Sequence, residues 1–267
     1  MRIILMILLS CFIHRETKAE PIKFEIRYFA DFKNIKEKKD FHSEEMILEV
    51  GAKRTNFYSY WARLRAERMD SLQKAGITDT WALQARIGDI PRSFFLHSIY
   101  TNYPKAGNRF VYCSHYTPIY YDEKNEVQNW QLVDRDSVIL DFHCQMAKCC
   151  FRGHNWIVWY TSDIPLATGP WKLGGLPGLI LYASDKNGYC TFEAVGITKG
   201  TKKEMFEPKK NALKSTRKQD AELLKLRYSD VNEYLKRMGL SSGGKIVGID
   251  GAIPKNENRT VILLEDE

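Results

Sequence analysis

The sequence predicts an α+β protein dominated by antiparallel β-strands, arranged as a curved meander or half-barrel sheet with a helical segment near the C-terminus. Short runs of alternating apolar and polar side chains recur from residue 22 onward, and turn-forming residues separate them. Helical spacing is confined to residues 61–75 and 201–240. Consecutive hairpins without intervening helices indicate an antiparallel sheet, and a long meander of this kind must twist and curl around its buried face.

The N-terminus has the pattern of an export signal. Arg2 precedes an apolar run over residues 3–13 that is too short to span a bilayer, and residues 17–19 include small side chains where a signal peptidase would cut. Residues 1–19 are therefore predicted to be a signal peptide. The alternative is that Cys11, in a stretch similar to a bacterial lipobox, is lipidated and anchors the protein to a membrane. We expect a periplasmic or cell-envelope protein, with an outer-membrane lipoprotein as the alternative.

Residues 20–200 are predicted to form the antiparallel β domain. Residues 22–30 alternate in polarity as a half-buried strand does, and a predicted hairpin follows them. The helix predicted over residues 61–75 ends where Gly76 follows it. From residue 93 the strand pattern returns, with turns rich in Asp, Asn and Gly between the apolar runs.

The composition changes after the β domain. Residues 201–240 form a basic segment that is predicted to be helical, because Thr216 and Gln219 have the spacing of a capping box and Gly239 can end a helix. Residues 241–267 are predicted to be a C-terminal tail with possible edge strands.

The chain carries a formal net charge of +7. This excess is diffuse over most of the chain and dense only near the C-terminus, which favours a solvated basic face over nucleic-acid binding. No glycine loop has the Lys or Ser/Thr that would meet a phosphate group. We therefore expect neither a nucleic-acid partner nor a cofactor.

The sequence has six cysteines, and export would place them in an oxidising compartment. Disulfide bonds are therefore expected, and their connectivity stays open. A metal site in the Cys- and His-rich residues 143–156 is the alternative, but strand alternation turns neighbouring cysteines to opposite faces and no CxxC pair is present. We expect no bound metal. The disulfide candidates are Cys113, Cys144, Cys149, Cys150 and Cys190.

A hydrolytic site that uses cysteine or histidine is the catalytic alternative. Cys113 and His115 are one strand period apart and share a face, and Cys150 and His154 flank a predicted turn. Neither pair lies in a strand-to-helix elbow, and no GxSxG motif occurs. We therefore assign no catalytic residue and retain a periplasmic hydrolase and a Cys/His metal-binding protein as alternatives.

The central region carries a distinctive motif. The segment YTSDIPLATGPWKLGGLPGLILYASDKNGYCTFEAVGI, residues 160–197, resembles the hallmark block of the GLPGLI family of exported proteins from Bacteroidetes-type bacteria. The upstream segments CCFRGHNWIVWY and HCQMA are similar to two further parts of that family, with His154 and His143 where the family commonly has Arg and Tyr. The resemblance implies an exported, β-rich protein without an established activity.

The motif has the chemistry of a turn. Pro177 and Gly178 suit a type II turn, with Gly178 at the position of positive φ, and Gly174 and Gly175 allow a close backbone approach before it. One interpretation is that this segment passes through a narrow part of the core. The other is a ligand-binding rim on the concave sheet. Its candidate residues are Trp171, Lys172, Leu173, Leu176, Leu179, Asp163, Arg152, His154 and Trp156.

Together these patterns predict a non-catalytic, exported binding or accessory protein of the bacterial envelope. Its partner would be an unknown lipid, peptide or envelope protein, held in an apolar pocket of the curved sheet. The hydrolase and the metal-binding protein are the alternatives to this function.

Overall fold

The structure, a computed structural model, describes residues 20–201, 203–208, 211–239 and 260–265. The predicted signal peptide, the alternative lipid anchor at Cys11 and most of the predicted C-terminal tail lie outside these residues. None of the helices within them combines the length and the apolar character that crossing a lipid bilayer requires.

The described residues form one sheet of twelve strands. All neighbouring strands pair in the antiparallel sense except the last and shortest one, which runs parallel to its neighbour. This confirms the predicted α+β class with a mostly antiparallel sheet. The strands are β1 (Phe24–Phe32), β2 (His42–Val50), β3 (Thr55–Ser59), β4 (His97–Thr101), β5 (Asn108–Cys113), β6 (Ile119–Lys124), β7 (Gln131–Ile139), β8 (Phe142–Phe151), β9 (His154–Thr161), β10 (Leu179–Asp185), β11 (Cys190–Lys199) and β12 (Leu213–Lys214).

The strand order is β12-β6-β5-β4-β3-β2-β1-β11-β10-β9-β8-β7. Two hairpin series, β1 to β6 and β7 to β11, therefore lie side by side and meet where β1 pairs with β11. In that pairing Phe24 lies opposite Lys199 and Phe32 lies opposite Cys190, with a register shift after Arg27. The first strand of the domain thus occupies the middle of the sheet.

Four helices accompany the sheet within the described residues. They are α1 (Tyr60–Lys74), α2 (Thr80–Ile87), α3 (Arg217–Ser229) and α4 (Val231–Arg237). Helix α1 corresponds to the helix predicted over residues 61–75, whereas the sequence prediction omits α2. In the predicted helical segment 201–240, helix begins only at Arg217.

Side chains cap the N-termini of helices α3 and α1. The predicted capping box is present at α3, where the Gln219 N–H donates to Thr216 Oγ1 at 3.2 Å and the Thr216 N–H donates to Gln219 Oε1 at 3.1 Å. At α1 the Ala62 N–H donates to Ser59 Oγ at 3.0 Å. These bonds satisfy backbone donors that the first helical turn leaves without intrahelical partners.

The main core is rich in aromatic rings. Tyr28 of β1 and Trp156 of β9 are buried, and the rings of Phe57 in β3 and Phe192 in β11 meet edge to face with centroids 5.8 Å apart. The Tyr28 hydroxyl donates to the Ile180 carbonyl oxygen at 2.7 Å, which satisfies the polar group that this ring carries into the core. Burial also raises the pKa of Tyr28, so the ring stays neutral.

The glycine-rich segment depends on close approach rather than on the predicted type II turn. Gly178 is not among the residues with positive φ; Gly175 is, with φ of 85°. A Cβ on Gly178 would lie well inside contact distance of the Thr161 carbonyl oxygen, and one on Gly174 would lie 3.0 Å from the Ala167 carbonyl oxygen. Pro177 precedes this crossing. Two backbones therefore pass so closely here that a side chain does not fit.

The expectation of disulfide bonds is wrong for the described residues. The five candidates are free thiols, and all except Cys150 are buried. Strand order explains the result, because the cysteines of β5, β8 and β11 lie on strands that are not neighbours. The adjacent Cys149 and Cys150 differ in burial, as successive residues of a strand do. Burial raises the pKa of Cys149 to about 12 and also raises that of Cys190, which keeps both thiols protonated.

The close approach at Gly178 predicts a strong response to a single methyl group. Gly178→Ala should lower the free energy of unfolding by about 2–3 kcal/mol, because the new Cβ must displace the Thr161 backbone. Urea unfolding followed by circular dichroism measures the change. Gly196→Ala is the matched control, since a Cβ there meets no atom within 4 Å. Equal stability of the two variants would contradict the crossing.

Candidate functional site

Lys172 lies at the centre of a buried cluster of charges. Its ammonium is 2.8 Å from Glu123 Oε1, forms an ion pair with Glu265 and donates to the Tyr121 hydroxyl at 3.3 Å. The Lys172 side chain is fully buried, so each of these contacts replaces water that the ammonium has lost. We call Arg109, Tyr121, Glu123, Arg152, Lys172 and Glu265 the Glu123 cluster.

Two guanidinium groups complete the surroundings of Glu123. Arg109 Nη1 donates to Glu123 Oε1 at 3.0 Å, and Arg152 Nη2 donates to Glu123 Oε2 at 3.1 Å. Burial alone raises the pKa of the Glu123 carboxyl, but Lys172 and the two guanidinium groups outweigh burial and hold that pKa below its ordinary value. Glu123 is thus an ionised carboxylate surrounded by cations.

The glycine-rich segment is also held from outside by the chain before β7. The Trp130 indole N–H donates to the Gly174 carbonyl oxygen at 2.8 Å. The Gln128 amide donates to the Lys172 carbonyl oxygen at 2.7 Å and accepts the Gly174 N–H at 3.1 Å. Gln128 and Trp130 belong to no sequence motif or periodic pattern, so the sequence alone did not predict their role.

The structure separates the residues of the expected ligand-binding rim. The apolar members are buried in the core, which favours the interpretation that this segment passes through a narrow part of it; they are Trp156, Trp171, Leu173, Leu176 and Leu179. Arg152 and Lys172 come together through Glu123. His154 is buried beside Asp185, with 3.3 Å between Nδ1 and Oδ2. Asp163 is exposed and joins none of these groups.

A second buried cluster links the sheet to the C-terminal helices. Asp220 of α3 bonds His97 Nε2 through Oδ2 and His115 Nε2 through Oδ1, both at 2.8 Å. The other ring nitrogen of His115 lies 3.2 Å from the Tyr234 hydroxyl, which also accepts the Tyr116 N–H at 3.3 Å. We call His97, His115, Asp220 and Tyr234 the Asp220 cluster.

Asp220 is ionised within this cluster. Burial raises the pKa of its carboxyl, but the charge of His97 and the hydrogen bonds from His115 and His97 outweigh burial and hold the pKa far below its usual range. Cys113 lies nearby, and burial together with the Asp220 charge raises the pKa of its thiol well above the ordinary value. Cys113 is therefore a protonated thiol and a poor nucleophile.

One set of side chains in the described residues has the spacing of a metal site. The donor atoms of His97, Cys113 and Asp220 all lie within 4.8 Å of one another. Both oxygens of Asp220 already bond imidazole nitrogens, and the Cys113 thiol would have to lose its proton to become a ligand. The donor set therefore fits a hydrogen-bond network better than a bound cation.

An open groove of about 730 Å³ borders the Asp220 cluster. His115 and Tyr234 reach its wall from inside, and the Tyr116 ring is 67% exposed at its edge. None of the described residues that line the groove is acidic, so the groove is electropositive. Its described lining residues are Ala62, Arg65, Gln84, Arg92, Ser93, Phe94, Leu96, Ser114, His115, Tyr116, Arg227, Val231, Tyr234 and Leu235.

Residues 115–230 match a family model described as "N-glycanase peptide, N-terminal domain". The match covers less than half of the 267 residues. No curated protein matches the chain.

Two solved structures are similar in fold. One is a structure of PNGF-II in space group P21, with a TM-score of 0.48, 14% identity and coverage of 75% of this chain. The other is PNGF-II in space group C2, with a TM-score of 0.47, 14% identity and coverage of 76%. This chain spans 32% of the length of each.

The comparisons correct two expectations. The family model that matches is the N-glycanase one, and no finding points to the GLPGLI family. The expected non-catalytic envelope protein for a lipid, peptide or partner protein is wrong as well, because the match names a hydrolase and is closer to the hydrolase alternative. The physical reason is that the glycine-rich motif reflects a close backbone crossing, which many functions can share.

The buried ammonium of Lys172 predicts a large loss of stability on its removal. Lys172→Met should lower the free energy of unfolding by about 3 kcal/mol or more, because Glu265 and Glu123 lose a cation inside the protein. Thermal and urea unfolding measure the effect. Lys186→Met, at an exposed turn position, should leave stability unchanged. Similar losses in both variants would contradict the ion-pair role of Lys172.

The lowered pKa of Asp220 predicts acid sensitivity. Because the folded pKa lies below the unfolded value of about 4, the ionised carboxylate stabilises the fold above pH 4, and this contribution is lost as the pH falls toward the folded pKa. The free energy of unfolding should therefore fall between about pH 5 and pH 2, and less steeply for Asp220→Asn. Asp163→Asn, at an exposed aspartate, should keep the wild-type slope; an unchanged slope in Asp220→Asn would refute the assignment.

Proposed function

We propose that this chain acts as a domain of an N-glycanase-type hydrolase and that the electropositive groove holds its glycopeptide substrate. One observation carries the proposal: the segment that matches the N-glycanase model contributes His115, Tyr116 and Arg227 to the lining of the groove. His115 and Tyr116 stand at the start of that segment, and Arg227 stands near its end. His115 and Arg227, which are 112 positions apart in sequence, thus line the same groove.

The Asp220 cluster supports acid–base chemistry at this groove. Hydrolysis of an N-glycan adds water across a carbon–nitrogen bond, so the leaving nitrogen takes a proton and the carbon takes the hydroxyl. Tyr234 is 3% exposed and is one of the residues that line the groove; its hydroxyl contacts His115 Nδ1, while Asp220 orients the same imidazole through Nε2. In this proposal Tyr234 passes a proton from the attacking water to the leaving nitrogen, and His115 and Asp220 are positioning residues.

The groove wall supports binding of a sugar chain with its peptide. The exposed face of Tyr116 suits stacking against a sugar ring. The guanidinium groups of Arg65, Arg92 and Arg227 surround the groove, and guanidinium groups donate several hydrogen bonds to hydroxyl, carbonyl or carboxylate oxygens. Arg65 is itself held in place, because its Nη1 donates to the Ile87 carbonyl oxygen at 2.9 Å.

We also propose that the sheet is curved into a half-barrel. Phe57 and Phe192 lie on strands separated by β2 and β1, which in a flat sheet would place them about 14 Å apart. Their ring centroids are 5.8 Å apart, which supports strong curvature. The ion pair between Glu123 of β6 and Arg152 of the β8–β9 turn also supports it, because these elements lie toward opposite ends of the strand order.

The proposed reaction predicts a specific loss of glycan release. Tyr234→Phe removes one hydroxyl and should lower the rate of glycan release from an N-glycopeptide about 100-fold, because the proton transfer loses its carrier. Mass spectrometry of the peptide and of the released glycan measures the reaction.

Tyr182→Phe is the matched control for this experiment. Tyr182 lies on β10 and does not line the groove. The control should keep wild-type activity. Absence of glycan release by the wild-type protein would overturn the proposed function, and full activity of Tyr234→Phe would overturn the role of its hydroxyl.

A further inference from the structure

A separate cavity of about 300 Å³ lies between α1 and the sheet. Tyr58 of β3, Tyr100 of β4 and Tyr112 of β5 form its floor, and Phe206 closes one side. The neighbours of these tyrosines in sequence, such as Phe57, belong to the main core. Because side chains alternate along a strand, the cavity lies on the sheet face opposite that core.

Helix α1 does not fill this space. None of its residues is buried, although a helix covering a sheet usually buries an apolar stripe against it. The helix lines the cavity with the small side chains of Ala62 and Ala66 and with the polar side chains of Arg63 and Glu67. A cavity with this lining is suited to a polar occupant rather than to tight hydrophobic packing.

Polar atoms without hydrogen bonds converge on the cavity. Asn56 is 1% exposed; its amide NH2 group lies beside the Glu49 carboxylate on the neighbouring strand and donates to it, whereas its Oδ1 has no hydrogen-bond donor among the described residues. Arg63 Nη2 is also buried without a hydrogen-bond partner. Buried amides and guanidinium groups normally have partners, so Asn56 Oδ1 offers an acceptor and Arg63 Nη2 offers a donor to a ligand.

The charges around the cavity favour a neutral ligand. Arg63 pairs with Glu67 at 2.7 Å, and Asp70 pairs with Lys74 at 2.7 Å. Glu207 pairs with Arg54 at 2.5 Å. Each charged side chain of the described lining residues is thus already matched by an opposite charge, and an anion or a cation would find no unpaired counter-charge.

We infer that this cavity binds one neutral sugar unit. Ligand cavities span roughly 300–1,000 Å³, so this one suits a single small ring. Sugars combine hydroxyl groups for Asn56 and Arg63 with an apolar ring face for the tyrosines. Ala62 and Ser114 line both the cavity and the groove, so the two spaces adjoin. The identity of the sugar as part of an N-glycan rests on the proposed function; the binding site itself does not.

Isothermal titration and saturation-transfer NMR with free N-acetylglucosamine, mannose and galactose test the site. At least one of these sugars should bind saturably, and N-acetylneuraminic acid, which is anionic, should bind more weakly. Ala66→Leu fills the cavity without removing a polar partner, so it should abolish binding while the protein stays folded. Asn56→Ala should weaken binding about tenfold. Ala85→Leu, on the exposed side of α2, is the matched control and should bind as the wild type does.

The outcomes separate this site from the proposed reaction. Absence of saturable binding by all three neutral sugars, equal binding by Ala66→Leu and wild type, or stronger binding of N-acetylneuraminic acid would each overturn the inference. Sugar binding should survive in Tyr234→Phe, because that hydroxyl lies outside the cavity lining. Glycan release without sugar binding refutes the sugar site alone, and sugar binding without glycan release supports the site while refuting the proposed function.

Discussion

The buried ion pair between Lys172 and Glu123 joins parts of the chain that are distant in sequence and in strand order. An ammonium or carboxylate buried alone would cost several kcal/mol, so each of these two groups needs opposite charges beside it in the interior. Lys172 lies in the connection from β9 to β10, and Glu123 lies in β6 near the far edge of the sheet. The pair therefore couples the two hairpin series, and Arg152 of the β8–β9 turn strengthens this coupling through the same carboxylate.

The position of Lys172 also determines the path of the residues that follow it. The carbonyl oxygen of Lys172 accepts hydrogen bonds from the side chains of Gln128 and Arg109. The backbone of Lys172 is therefore fixed by these bonds, and its side chain is fixed by the ion pairs. Gly178 then crosses beside Thr161 with no room for a Cβ. The glycine-rich motif contains no reactive side chain. Its physical role is to place the ammonium of Lys172 beside the buried carboxylate of Glu123.

The Asp220 cluster joins the C-terminal helices to the sheet, as the Glu123 cluster joins the two hairpin series. Asp220 holds the imidazoles of His97 and His115, and His115 in turn contacts the hydroxyl of Tyr234, a residue that lines the open groove. The Glu123 cluster is enclosed, whereas this one borders solvent and a basic surface. The adjoining cavity beneath α1 differs again, since its charges are mutually paired. A charged groove beside a neutral cavity is consistent with a ligand that has chemically distinct parts.

Sequence patterns alone determined the local structure: the strand-rich class, helix α1 and the capping box at Thr216, all of which depend on residues within a few positions of one another. The clusters were decided by tertiary structure. Asp220 and His115 are 105 positions apart, and Lys172 and Tyr121 are 51 positions apart, so no local pattern predicts their contact. Disulfide bonding could not be predicted from the sequence for the same reason. It depends on which strands are neighbours, and that order includes the pairing of β1 with β11, which are distant in sequence. At Gly178 the sequence indicated that a glycine was needed, but it did not show the reason. The tertiary structure shows that the backbone of Thr161, and not a turn dihedral angle, leaves no room for a side chain there.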